Sequence, residues 1–331
     1  MVRKSILAII VSIIAVSIIV IALVQDDKIG LATKKDPIKI ALNQWPGYAV
    51  LFIAQEKGFF EKNGVNVELI FNIDYSDSQQ KYLNGEVDGV CQVLADTIIQ
   101  NKELPSKIVY VIDYSTSGDV IVSPLSSVND LKGKAVGVEG INSFSHLFFI
   151  KILESHGMGE DDVFFKSVPA HNVIKEIESG NIVAGHTWEP TRSLALSKNY
   201  YSLGTAAEFP YLVTDVITFN SKVINDRPKE LHAIVISLSE AQEFIKTNPD
   251  EALKIMSKNS QMPSETMFSG INAIHVTNID ENQNVIASSE GLLYQNAKIV
   301  SQFYFDRGQI LSIPAYEQII EPRFVNQQYK D

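Results

Sequence analysis

An α/β body of two similar lobes with mostly parallel sheets, set behind an N-terminal transmembrane helix, is the architecture this sequence predicts. Three observations lead there. From Pro37 onward, short apolar runs of β type alternate with segments of helical period. A helix-glycine-strand phrase repeats after a shift of 95 residues, which lays Gly85 on Gly180, Val87 on Ile182 and Gly89 on Ala184. An unbroken apolar stretch opens the chain. With 331 residues, 45% hydrophobic and 20% charged, the chain is too long for one minimal core and too apolar to stay disordered.

The stretch from Ser5 to Val24 holds only Ile, Val, Ala, Leu and three serines over 20 residues. At a helical rise of about 1.5 Å per residue it reaches about 30 Å, the depth of a bilayer core. Arg3 and Lys4 precede it and Asp26 and Asp27 follow it, so the positive-inside rule leaves Met1 in the cytoplasm and the body outside. Residues 1–27 are therefore expected to form a cell-membrane anchor and residues 28–37 a tether. A cleaved signal, leaving a secreted or periplasmic body, is the alternative; its apolar core is usually only about 7–15 residues long. No cysteine lies near the end of the stretch to accept a lipid.

Strands are expected at 38–42, 65–71, 87–90 and 108–112, with helices at 49–57, 76–83 and 95–101 between them. A second set follows, with strands at 135–139, 163–168 and 182–187 and helices at 144–155, 173–179 and 190–197. After a strand at 212–219 the pattern turns helical at 229–247, 250–258, 264–273 and 287–306. This order gives a first lobe of 38–120 and 216–331 with a helical C-terminal segment, and a second lobe of 121–215.

Several functions are excluded by composition. A formal net charge of −11 opposes nucleic acid, and no Lys/Arg stripe offsets it. The single Cys91 forbids an internal disulfide framework and any four-cysteine metal centre. His146, His156, His171, His186, His232 and His275 show no metal-ligand spacing and read as surface or capped-core residues. Gly133 and Lys134 lack the spacing of a phosphate loop, and no nucleophile elbow occurs. No cofactor and no catalytic residue is expected.

The phrases Asn43 to Tyr48, Ala54 to Phe60, Gly64 to Leu69, Gly85 to Gly89, Asp113 to Asp119, Asp130 to Lys134 and Trp188 to Pro190, with Asp215 after Pro210, stand in a fixed order. In that order and spacing the chain, over about residues 37–225, resembles the solute-binding proteins of nitrate, sulfonate, taurine and thiamine-precursor ABC importers. The resemblance implies a type II periplasmic-binding-protein fold, two lobes joined by a hinge. It also implies a small-molecule solute, and permease and ATPase subunits as partners. A ligand-sensing protein feeding a receptor or kinase is the alternative role. Enzymes share the superfamily, but the cysteine-rich iron motif of its pyrimidine synthase has no counterpart here.

In such sheets ligands settle outside the carboxyl ends of the strands. There Trp45 and Tyr48 offer two amphipathic rings beside Gly47, where the backbone allows close approach. Asp96 and Thr97 open a helix, where an acid either caps or contacts solute. Ser115, Ser117 and Asp119 lead toward the second lobe with hydroxyls and open N–H groups, or simply form a turn. Ser143, beside Asn142 and Ser145, marks either an anion socket or an ordinary N-cap. Trp188 and Glu189 end a strand at the mouth, and Asp215 sits where the chain returns. Acids at 96, 119, 189 and 215 favour a solute with N–H donors or positive charge, an amine or aminopyrimidine, over bare nitrate. A sulfonate zwitterion such as taurine, its anion at Ser143 and its amine on an acid, and a hydroxymethylpyrimidine stacked on Trp45 and donating to Glu189 both fit.

Overall fold

The computed structural model describes residues 36–287 and 290–326. The expected membrane helix and nearly all of the tether lie outside the described residues. Among those described, no helix is long and apolar enough to cross a membrane.

Eleven strands form two sheets. In chain order they are β1 (Ile38–Leu42), β2 (Val67–Phe71), β3 (Gly89–Val93), β4 (Ser106–Ser115), β5 (Val120–Ser123), β6 (Ala135–Val138), β7 (Phe164–Ser167), β8 (Ala184–Thr187), β9 (Tyr201–Thr205), β10 (Thr214–Asn220) and β11 (Ile274–Val276). One sheet has the order β11-β4-β10-β3-β1-β2 and the other β7-β6-β8-β5-β9. Each is built on a parallel trio, β2-β1-β3 or β7-β6-β8. Each then takes a strand running the other way, β10 or β5. The expected mostly parallel sheets are thus mixed, because the reversed strand in each is the first one the chain lays down after arriving from the other half.

The burial pattern explains the trios. Except for the half-buried Lys39, β1 is buried throughout, and so is all of β3. Strands covered on both faces read as continuous apolar or small runs. The repeat visible in the sequence is real in the backbone. Gly85 (φ 72°) and Gly180 (φ 77°) both take the left-handed conformation that ends a helix, just before β3 and β8.

Helix boundaries fall close to expectation, and Phe144–Ser155 falls on it. The expected helix at 287–306 is Leu292–Asp306, and the helix Ile279–Ala287 before it was not expected. Three strands were not expected. β5 and β9 are short, and β11 has only three residues at a sheet edge, too few to show a period. The crossings between sheets fall at 116–119 and 206–213, and they run side by side. Ser115 N–H donates to Val213 O at 3.0 Å, and Ala206 N–H to Asp119 O at 3.0 Å. The C-terminal segment returns to the first sheet, where Ile108 exchanges backbone hydrogen bonds with Ile319 and Glu321.

Candidate functional site

The loop after β1 builds one wall. Trp45 is extended and Pro46–Ala49 closes one tight 3-10 turn, as Tyr48 N–H reaches Trp45 O at 3.2 Å. The turn drives both rings inward, leaving Trp45 5% and Tyr48 1% exposed. The indole N–H of Trp45 donates to both carboxyl oxygens of Asp113 at 3.1 Å. Two glycines make room: a Cβ at Gly118 would stand 2.8 Å from the far edge of the Trp45 ring, and one at Gly47 would overlap the Asp113 carboxyl. The indole is thereby fixed between a hydrogen bond and a backbone.

Acids line the strands that join the halves. Asp113 on β4 faces Asp215 on β10 in register, and the Tyr48 hydroxyl donates to Asp215. Burial pushes both carboxyls well above the usual carboxylate range; for Asp215 the charge of Asp113 adds to this. Tyr48 is pushed up in turn by burial and by Asp215. Asp119, at the start of the second half, pairs with His186 Nε2 at 3.0 Å. His186 Nδ1 meets Ser145 Oγ at 2.8 Å, and that hydroxyl accepts the Glu139 N–H at 2.9 Å. A serine, a histidine and an aspartate in line suggest a nucleophile, but the order is reversed for one. Ser145 is fully buried and holds the far end of the chain, while the acid is the member that faces the cavity. The row anchors Asp119.

The two halves meet over a set of rings. Tyr75 packs edge-on against Phe144 and Trp188, at centroid distances of 5.5 and 6.1 Å. Its hydroxyl donates to Asp96 at 2.6 Å and accepts the Val93 N–H at 2.9 Å. Asp96 also accepts the Phe144 N–H at 3.4 Å, a bond from the first half to the opening residue of a helix in the second. Burial raises Asp96 to about 6, although Tyr75 and the Phe144 N–H oppose it.

Between these walls lies a cavity with about 220 Å³ of empty space. Only about 10 Å³ of that can hold the centre of a water molecule, so the walls are closed down on roughly one water's room. Rings from Trp45, Tyr48, Tyr75, Phe144 and Trp188 form half of the lining, and Val93 and Val213 complete its apolar part. Its polar part is Asn43, Asp119 and Asp215. Each of these presents a buried side-chain oxygen without a hydrogen-bond partner: Asn43 Oδ1, Asp119 Oδ2 and Asp215 Oδ2. Among the described residues, none that lines this cavity is Lys, Arg or His.

The expected site residues divide accordingly. Trp45, Tyr48, Asp119, Trp188 and Asp215 line the cavity, and Asp96 stands behind it through Tyr75. The Thr97 hydroxyl is taken up by Gln92 and Thr218. Ser115 Oγ accepts the Asp119 N–H at 3.0 Å, and the Ser117 N–H goes to Ala273 O. Ser143 donates to Gly140 O rather than capping its helix. Glu189 is 1% exposed and turned away, held by Arg192 at 2.8 Å, by the N–H and hydroxyl of Ser193, and by Ser269 at 3.2 Å.

Asn43, Tyr75, Asp113, Phe144 and His186 were not singled out for the site. Asp113 stands two residues before Ser115, on the same face of one strand, so the period of two held that signal. His186, the one large side chain in a strand of small residues, was another.

The NMT1/THI5 like family model matches residues 45–252. The chain belongs to that family. A putative thiamine biosynthesis protein of Haemophilus influenzae is 27% identical over 66% of this chain and 72% of its own length. Riboflavin-binding protein RibY of Chloroflexus aurantiacus is 23% identical over 66% and 65%. A 4-amino-5-hydroxymethyl-2-methylpyrimidine phosphate synthase of Uromyces fabae is 28% identical, but the match spans only 49% of each chain. Among solved structures, the alkanesulfonate-binding protein SsuA of Xanthomonas axonopodis, bound to MOPS, superposes with a TM-score of 0.73 at 13% identity, covering 88% of this chain and all of that one. The nitrate-binding protein NrtA of Synechocystis gives 0.72 at 14% identity, covering 87% and 86%. The fold is the α/β periplasmic-binding-protein fold with two sheets, that of the solute-binding proteins of ABC importers.

Proposed function

We propose that this protein is the extracytoplasmic solute-binding component of an ABC importer, and that its solute is a planar nitrogen heterocycle of the aminopyrimidine kind. In this reading the two halves close on the solute and hand it unchanged to a permease, with the apolar stretch at 5–24 holding the body at the outer membrane face. The observation that carries the solute class is the row of partnerless acceptor oxygens on Asn43, Asp119 and Asp215, in a lining of five aromatic rings. An unmet buried acceptor costs about 1–3 kcal/mol, which a ligand N–H recovers. Sulfonate or nitrate would bring further acceptors to the same wall, with no lining cation to receive them. Rings edge-on and tilted to one another leave faces for a flat solute to stack on.

The fungal relatives raise the enzyme reading, and the cavity gives it little support. Cys91 is fully buried in β3, with its thiol pushed up by burial, and the buried Ser145 does not line the cavity.

Titration calorimetry of the purified chain tests the proposal, with 4-amino-5-hydroxymethyl-2-methylpyrimidine, taurine, an alkanesulfonate and nitrate. Binding of the pyrimidine alone is expected. Tight binding of an oxyanion with none of the pyrimidine overturns the solute class, and turnover of any of them overturns the transport role.

A further inference from the structure

We infer that the cavity takes its solute as a cation, a protonated amino-heterocycle or amidinium-like group whose charge is balanced by Asp119 and Asp215. This rests on the nitrogen-heterocycle reading and adds the charge state to it. Asp113 on β4, Asp215 on β10 and Asp119 on the crossing between the halves are all 0–2% exposed. The protein supplies Asp113 with the Trp45 indole N–H, Asp215 with the Tyr48 hydroxyl and Asp119 with His186. Two of those donors are neutral, and Tyr48 is not ionised, since burial and Asp215 both oppose it. His186 touches Asp119 through one oxygen only, and the other is left open to the cavity.

Two carboxyl oxygens, on Asp119 and Asp215, are thus buried, unpartnered and set in the wall of the same cavity, and no lining cation answers them. A carboxyl buried away from any cation is held in its neutral form, as Asp215 is by burial and by Asp113, and a cationic ligand with N–H donors supplies the opposite charge against which it ionises. The remaining wall suits the same ligand, because a lining with five aromatic rings attracts a flat cation as well as a flat neutral ring. A quaternary ammonium would satisfy the charge and leave the oxygens without donors, so an N–H-bearing cation is the better match.

Pairs of ligands that share a shape and differ in charge decide the matter. At pH 7 we would titrate the full chain with 4-aminopyridine, which is a cation there, against aniline, and with benzamidine against its neutral partner benzamide. The cation of each pair is expected to bind at least tenfold more tightly, about 1.4 kcal/mol. Asp119→Asn should reduce that preference to less than threefold. Asp215→Asn should do the same, and circular dichroism would confirm that each variant folds. Equal or tighter binding of the neutral members, with the aminopyrimidine also bound, overturns the cation inference and leaves the heterocycle reading standing. Oxyanion binding with none of the nitrogen ligands bound overturns both.

Discussion

The two sheets are laid out alike, yet they give the cavity opposite chemistry. In the β1-bearing half, the loop after the first strand carries Asn43, Trp45 and Tyr48 inward, and the reversed strand β10 adds Asp215. In the β6-bearing half, the corresponding loop folds onto itself, with Ser143 donating to Gly140, and the cavity receives Phe144 and Trp188 instead. The acid next to each ring shows the same split. Asp96 reaches across to the Phe144 N–H, whereas Glu189 is consumed by Arg192, Ser193 and Ser269. A repeated topology therefore fixes where loops arrive but not what they deliver. One half supplies polarity and the other an apolar cover, with Asp119 on the crossing between them.

The largest test of that division is Trp45→Ala, which removes a stacking face and strips Asp113 of its indole donor. Solute affinity should fall by about 2–4 kcal/mol, roughly 30- to 1000-fold by calorimetry. An effect under threefold would mean that the polar half does not hold the solute.

The pH dependence separates the halves next. Asp96 is raised to about 6, so between about pH 4 and 6 the folded chain keeps a proton that the unfolded chain has lost. Stability from this group falls as pH rises through that window and is flat above it, by at most about 3 kcal/mol at about 1.4 per unit. In the other half burial lowers His146 to about 4. There the unfolded chain takes up a proton first, and stability falls as pH drops from about 6.5 to 4. Urea titrations at pH 4.5 and 6.5, with Asp96→Asn beside the parent, isolate the first slope. An identical pH dependence in the variant would remove Asp96 as its source.

Glu189→Gln comes third. It should cost about 1–3 kcal/mol of stability through the weakened bonds to Arg192 and Ser193, and leave affinity within threefold. A tenfold loss of affinity with unchanged melting would put Glu189 back among the solute contacts. Smallest is Ser143→Ala, expected to shift stability by no more than about 0.5 kcal/mol and affinity by less, because its hydroxyl serves only Gly140. A marked affinity loss there would restore an anion socket at that helix.

Much of this was legible in advance. Alternating runs and the phrase around Gly85 and Gly180 placed both trios, since buried strands and helix-ending glycines are local chemistry. Trp45, Tyr48 and Asp215 were legible as cavity residues because strand ends in such sheets point to one place. What a side chain does after arriving was not. Asp113 and Asp215 stand about a hundred positions apart in sequence, and only the pairing of β4 with β10 makes them neighbours. Glu189 and Asp119 look alike as acids at strand margins, yet one finds Arg192 a turn later and the other a histidine 67 residues away. Long-range register and competition among local partners decide such cases, and neither has a period.

The chain has two tryptophans in all, Trp45 and Trp188, and both line the cavity, one from each half. Its tryptophan emission therefore comes from the cavity, with no other indole to dilute the signal. Loading and opening can be followed by light alone, and Trp45→Phe or Trp188→Phe would leave a native probe on a single jaw.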